Sequence, residues 1–265
     1  MQQAAAWVIM LARIGYVAKG VLYITVGVLA AGLAFGVGGR TTDSRGALDT
    51  IEAGPFGAVT LTLIAAGLLG YAVWRLLNAA TDAERRGDHP SGLAIRAGSA
   101  LRGLAYGYLG LVTIRFLLVR AEDGGDQIGS ITAQVLSLPA GRSTVIAAGL
   151  GFIGYGCYQL FRAGSDRVVR HLKTWEAGHH GTRWIRRLGR FGIAARAVVF
   201  GMVGVLLIRA AWKFDPSEAG GIEESLDALA RAPKGMLVLA VVAVGLVSYG
   251  LFQLATARYR MMRLD

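Results

Sequence analysis

Two phrases of small, aromatic and basic residues each occur three times along this chain, always in the same order. The first reads Arg13, Gly15, Ala18, Lys19, Gly20, Tyr23, Gly27, then Arg96, Gly98, Leu101, Arg102, Gly103, Tyr106, Gly110, and finally Arg190, Gly192, Ala195, Arg196, Ala197, Phe200, Gly204. The second follows each copy of the first: Pro55, Gly57, Gly67, Gly70, Tyr71, Trp74, Arg75, Leu76, then Pro139, Gly141, Gly151, Gly154, Tyr155, Tyr158, Gln159, Leu160, and then Pro233, Gly235, Gly245, Ser248, Tyr249, Phe252, Gln253, Leu254. Recurrence on this scale fixes architecture before any local assignment, because each copy has to fold as the same unit. Each unit holds two long apolar stretches, so the expectation is three copies of a two-helix repeat, over 7–80, 90–163 and 184–258.

The solvent for these helices follows from composition. Of 265 residues, 54% are hydrophobic and 38 are glycine, with too little charge for a soluble globular chain. Apolar runs of about 20 residues, the length that spans a bilayer, extend approximately from Ala12 to Gly36, Ala58 to Leu77, Ala97 to Leu118, Val145 to Phe161, Ile193 to Trp212 and Met236 to Ala257. The fold expected is therefore an all-α membrane protein, residues 1–265 as one domain, with six transmembrane helices as three parallel two-helix repeats. An even number of spans brings each copy in from the same side, which predicts a pseudo-threefold axis normal to the membrane rather than an inverted repeat. The N-terminus lacks an early Lys or Arg and a small-residue cleavage site, so the first span is read as retained. The single Cys157 falls in the fourth span and excludes an intrachain disulfide.

Six alternating spans sort the charges. The side that holds both termini and the linkers after the second and fourth spans collects most of the 28 Lys and Arg and the minority of the 17 acids. Basic residues mark the cytoplasmic face, so both termini are expected there. The linker 162–190 carries much of the bias: Arg167, Arg170, Lys173, Arg183, Arg186 and Arg187 stand among Val168, Val169, Leu172, Trp175, Trp184 and Ile185. An interfacial helix on anionic lipid and an ordinary solvated loop are the two readings. Nucleic acid is not expected, since no binding motif accompanies the charge. His171, Glu176, His179 and His180 lack a patterned ligand set, so neither metal nor cofactor is expected.

Most of the repeated residues suit helix packing. Tyr16, Gly20, Tyr23 and Gly27 fall on one narrow stripe at helical spacing, and small residues let helices approach closely in lipid. Gly67, Gly70 and Tyr71 form the matching stripe on the second helix, and Gly103, Tyr106, Gly110, Gly154, Tyr155, Gly204, Gly245 and Tyr249 are their counterparts. Pro55, Pro139 and Pro233 precede the second helices. Short helices on the outer surface are expected around Ala47 to Ile51, Ile131 to Leu136 and Leu226 to Leu229. Arg115 and Arg209 coincide between repeats where the first has Gly32, which argues against a complete outer ring of charge.

Lys19, Arg102 and Arg196 keep a positive charge at one position of all three copies. Either these side chains snorkel separately to the headgroups, or a threefold arrangement gathers them with Arg75, Gln159 and Gln253 into one site for a phosphate headgroup or a permeating anion. No Asp, Glu or His falls inside the six spans, and no nucleophile with a base is visible. A proton relay and an enzyme are therefore not expected.

The phrase Arg-x-Gly-x-x-Ala-Arg-Gly and the run from Gly67 to Arg75 resemble the bacterial integral membrane domain-of-unknown-function family twelve-oh-six. The resemblance covers Trp7 to Leu254, with departures at Ala197 and Ser248. It implies three tandem two-helix repeats in a bacterial inner membrane and no transferable catalytic residue. The function expected is a non-enzymatic scaffold that binds lipid headgroups or a protein partner. The alternative is a passive channel or facilitator for an anion or small solute along the axis, which requires a continuous hydrated path.

Overall fold

The computed structural model describes residues 2–54, 57–81, 87, 89–119, 127–165, 168, 172 and 174–259. Pro55 and the linker residues Arg167, Val169, Arg170, His171 and Lys173 lie outside these. Among the described residues are nine α-helices in three copies of a long, short, long pattern. Repeat one holds α1 (Gln2–Ala34), α2 (Ser44–Glu52) and α3 (Gly57–Thr81); repeat two holds α4 (Pro90–Val119), α5 (Gln127–Leu136) and α6 (Gly141–Gly164). Repeat three holds α7 (Thr174–Lys213), α8 (Ile222–Arg231) and α9 (Gly235–Tyr259).

Five helical segments are long and apolar enough to cross a membrane: Arg13–Ala34, Gly57–Thr81, Gly141–Gly164, Gly178–Lys213 and Gly235–Tyr259. At 1.5 Å per residue a helix of 25 residues such as α3 reaches ~37 Å, enough for a hydrocarbon layer of ~30 Å. With 30 residues α4 has the length, but Arg96, Arg102 and Arg115 interrupt its apolar run. The short α2 and α8 are amphipathic instead, burying Ala47 and Leu48 in one and Leu226 and Leu229 in the other. Local bonds start them. Asp43 accepts from the amides of Arg45 (2.7 Å) and Gly46 (3.1 Å), and Glu224 accepts from the Gly221 amide at 2.6 Å, each satisfying amides that a helix start leaves open. Pro139 and Pro233 stand two residues ahead of α6 and α9, outside the first turn, and each is followed by a residue of positive φ, Ala140 or Lys234.

Each first helix packs on the second helix of another repeat, α1 on α9, α4 on α3 and α7 on α6. Equivalent residues make all three interfaces. A Cβ at Gly27 would stand 2.8 Å from Val247, one at Gly110 2.9 Å from Leu69, and one at Gly204 2.7 Å from Ile153. Half a helix away, Gly20 meets Gly250 and Leu254, Gly103 meets Ala72 and Leu76, and Gly156 meets Ala197. The glycines thus bring backbones together without an intervening side chain, the usual means of packing helices in lipid.

Inside the repeats the pattern is broken. In repeat one Gly15 lies against Tyr71 and Gly67, and in repeat three Gly192 lies against Tyr249 and Gly245 against Ala195. In repeat two a Cβ at Gly151 or Gly154 would meet nothing within 4 Å among the described residues, and one at Gly98 would meet Arg102 Nη2 at 3.3 Å. Gly154, expected to pack, does not. One residue accounts for the difference. Ala18 and Ala195 are 3% and 6% exposed, whereas Leu101 at the same position is 68% exposed. The Ala195 methyl already occupies the space that a side chain on Gly245 would need, so an isobutyl group there would force the two helices apart. α4 and α6 accordingly share no packed interface.

In the linker the described residues are helical from Thr174 onwards. Helix α7 starts at Thr174, breaks at Gly178 (φ 68°) and runs on to Lys213, so Arg183, Trp184, Arg186 and Arg187 sit at the beginning of a long apolar helix. Val168 and Leu172 are buried with Ile185 and Phe252 at that end of the bundle.

Candidate functional site

A cavity of about 460 Å³ opens between the repeats in the half of the bundle that carries the termini. Its wall includes Lys19, Arg102 and Arg196 from the first helices and Arg75, Gln159 and Gln253 from the second helices. The three repeated cations therefore face one space rather than three separate patches of lipid. The described wall carries no carboxylate. Tyr71, Tyr155 and Tyr249, which hold one repeat position and read in the sequence as packing residues, also line the space, as do Arg162, Val168 and Leu172 at its linker side. Tyrosine recurring beside the repeated cations was the signal for the first three; Val168 and Leu172 belong to no repeat and carried none.

Lys19 is 3% exposed. Its Nζ lies 4.6 Å from the centre of the Tyr106 ring, 5.5 Å from Tyr71 and 5.6 Å from Tyr249. Among the described residues it has no hydrogen bond or ion pair. Arg196, Arg75, Arg102 and Arg162 all lie close enough to act on its charge electrostatically. Arg196 donates from Nη1 to the Tyr249 hydroxyl at 2.8 Å and lies over Phe200 at 4.7 Å, while its buried Nε has no partner. Arg75 donates from Nε to the Tyr71 hydroxyl at 2.9 Å and stacks on Trp74 at 4.6 Å. Arg102 donates from Nε to the Gly98 carbonyl at 2.7 Å, and Gln253 donates to Tyr249 at 3.1 Å. Gln159 is buried and has no such partner among the described residues.

Beside the cations lies an aromatic layer. Tyr23 meets Tyr249 edge-on at 4.8 Å, Tyr106 meets Tyr71 at 5.1 Å, and Phe200 meets Tyr155 at 5.3 Å. These are one pair of positions taken three times. Ala30, Thr113 and Leu207, again one position, are buried a turn or two further on. The cavity is thus a vestibule with basic side chains in its wall and aromatic pairs beside them.

The opposite end has acidic character. The Thr41 hydroxyl bonds Asp227, and burial together with Asp43, Glu224 and Asp227 pushes the Glu223 carboxyl above its ordinary range. Arg209 pairs with Glu218 at 2.8 Å, and a bond from Lys213 holds that carboxyl below its ordinary range. Among the described residues no group of His, Cys, Asp and Glu is placed to hold a metal; His171 lies outside them.

Long apolar helices in three internal repeats define a multi-pass membrane protein. The chain belongs to the family described as Domain of Unknown Function (DUF1206), whose model matches it three times, over residues 14–82, 97–166 and 191–260. The three matches begin at the same intervals as the repeated phrases. The chain is similar to the Uncharacterized protein YxxB of Bacillus subtilis (strain 168), with 33% identity over 261 residues, 98% of this chain and 94% of that one. No solved structure matches.

Proposed function

We propose that this is a non-enzymatic protein of the bacterial cytoplasmic membrane that binds an anionic lipid headgroup in its basic vestibule. In this reading all six long helices span the bilayer, both termini are cytoplasmic, and the repeats form a pseudo-threefold ring. The three equivalent interfaces between repeats support the ring, and the excess of Lys and Arg near the termini supports the orientation.

One observation carries the function: Lys19 is buried among like charges with no carboxylate among the described residues to balance it. An unpaired ion in a low-dielectric interior is destabilised by roughly several kcal/mol, a cost that a bound anion offsets. Phosphate supplies charge and several acceptor oxygens for guanidinium and ammonium donors. The aromatic pairs packed beside the cations, with Ala30, Thr113 and Leu207 buried beyond them, favour a binding pocket over the alternative, an anion facilitator, which requires a continuous hydrated path.

Two measurements on the full chain test this. Protein extracted in mild detergent should retain dioleoyl phosphatidylglycerol in preference to dioleoyl phosphatidylcholine by native mass spectrometry, and Lys19→Gln or Arg196→Gln should reduce that retention. In liposomes the protein should give no chloride or phosphate flux above that of empty vesicles. Equal retention of both lipids, or steady anion flux, would remove the reading.

A further inference from the structure

We infer that the lipid enters and lies sideways, with its headgroup in the vestibule and its acyl chains in the open flank between α4 and α6. The inference rests on the headgroup reading above and adds to it a route and a requirement for a hydrocarbon tail. Its first ground is the asymmetry of the ring: the flank is closed in repeats one and three and open only in repeat two. The opening is built by the chain. Leu101 replaces the buried alanine of the other repeats, and Gly151 and Gly154 across from it face empty space.

The second ground is continuity. Gly98 of α4 and Tyr155 and Tyr158 of α6 line the vestibule and also belong to the faces that border the gap. An apolar slot thus leads from the bundle surface to Lys19, Gln159 and Arg196, all buried, of which Arg196 keeps a buried Nε with no partner among the described residues. A soluble anion would fit the charge and leave the slot without purpose. An anionic glycerophospholipid fits both parts, since its chains replace the missing interhelical contacts and its phosphate meets the cations.

Gly154 provides a sharp test because nothing lies within 4 Å of it. A tryptophan there starts from an unobstructed Cβ and puts its ring in the slot, where it obstructs an occupant. Gly154→Trp, with Gly151→Phe as a second blocking variant and the exposed Val205→Trp as control, would be purified as the full chain. Each would be titrated with dioleoyl phosphatidylglycerol and, separately, with glycerol 3-phosphate, which has the anionic group and no chains. Both blocking variants should weaken lipid binding about tenfold or more, a loss of about 1.4 kcal/mol, with melting temperature and glycerol 3-phosphate binding unchanged; Val205→Trp should bind like wild type. Lipid binding unchanged in the blocked variants but lost in Lys19→Gln would overturn the lateral slot and leave the headgroup reading standing. Lipid binding indifferent to Lys19→Gln as well would overturn both. Equal weakening of both ligands would also overturn the slot, since the tryptophan would then act on the vestibule alone.

Discussion

Lys19 is held by three aromatic faces and no anion, and the balance of those terms makes a prediction. Each cation–π contact contributes about 0.5–2 kcal/mol, while an unpaired buried ammonium costs roughly several kcal/mol and its arginine neighbours add repulsion. Lys19→Met removes the charge and keeps the length. It should stabilise the lipid-free protein by roughly 1–4 kcal/mol, the gain seen when apolar groups replace buried ions, and abolish the stabilisation conferred by anionic lipid. Thermal unfolding with and without dioleoyl phosphatidylglycerol checks both halves; a variant destabilised in lipid-free detergent would make the charge structural. The Tyr249 hydroxyl accepts from Arg196 and Gln253, so Tyr249→Phe leaves two buried donors unpaired and should cost about 1–3 kcal/mol for each. Tyr155, whose hydroxyl takes no such bond among the described residues, should tolerate the same change with little loss in the same melting experiment.

At the scale of elements, one repeat position behaves oppositely in two copies. Gly245→Ala drives a methyl into Ala195 and should destabilise by about 1–3 kcal/mol. Gly151→Ala meets nothing and should be neutral, or stabilising by up to about 1 kcal/mol through helix propensity. Equal losses measured by unfolding in detergent would mean that the repeat-two flank is closed. On α8, Glu223 titrates above its ordinary range because of burial and nearby acids. The folded state therefore binds its proton more tightly than the unfolded state, and this group adds stability as pH falls through the carboxylate range and withdraws it as pH rises. Glu223→Gln should raise the melting temperature at pH 7, and the gain should shrink as both states become protonated. The three short helices were legible because apolar residues at helical spacing stand just ahead of each second helix. The open flank was legible only in Leu101, since a single Ala-to-Leu exchange in a conserved-looking phrase reads as harmless until the glycine opposite it is known.

Across the whole molecule, the repeat dictated which side chains would meet. Identical spacing in three copies places Lys19, Arg102 and Arg196 at one depth, and equivalent glycine contacts bring those helices around one vestibule. The linker escaped this logic because it has no counterpart in the other copies: Val168 and Leu172 are buried in the cluster that holds Ile185 and Phe252, which no periodicity announces. The family match agrees with the repeat structure and leaves the chemistry to the vestibule itself. That chemistry is tested most directly by an electron cryomicroscopy structure of the full chain in nanodiscs of dioleoyl phosphatidylglycerol and dioleoyl phosphatidylcholine. A headgroup phosphate within hydrogen-bond reach of Lys19 Nζ and Arg196 Nε, with its chains emerging between α4 and α6, is the expected result. An empty or protein-filled vestibule, with ordered phosphatidylglycerol only on the outer surface of the bundle, would contradict it.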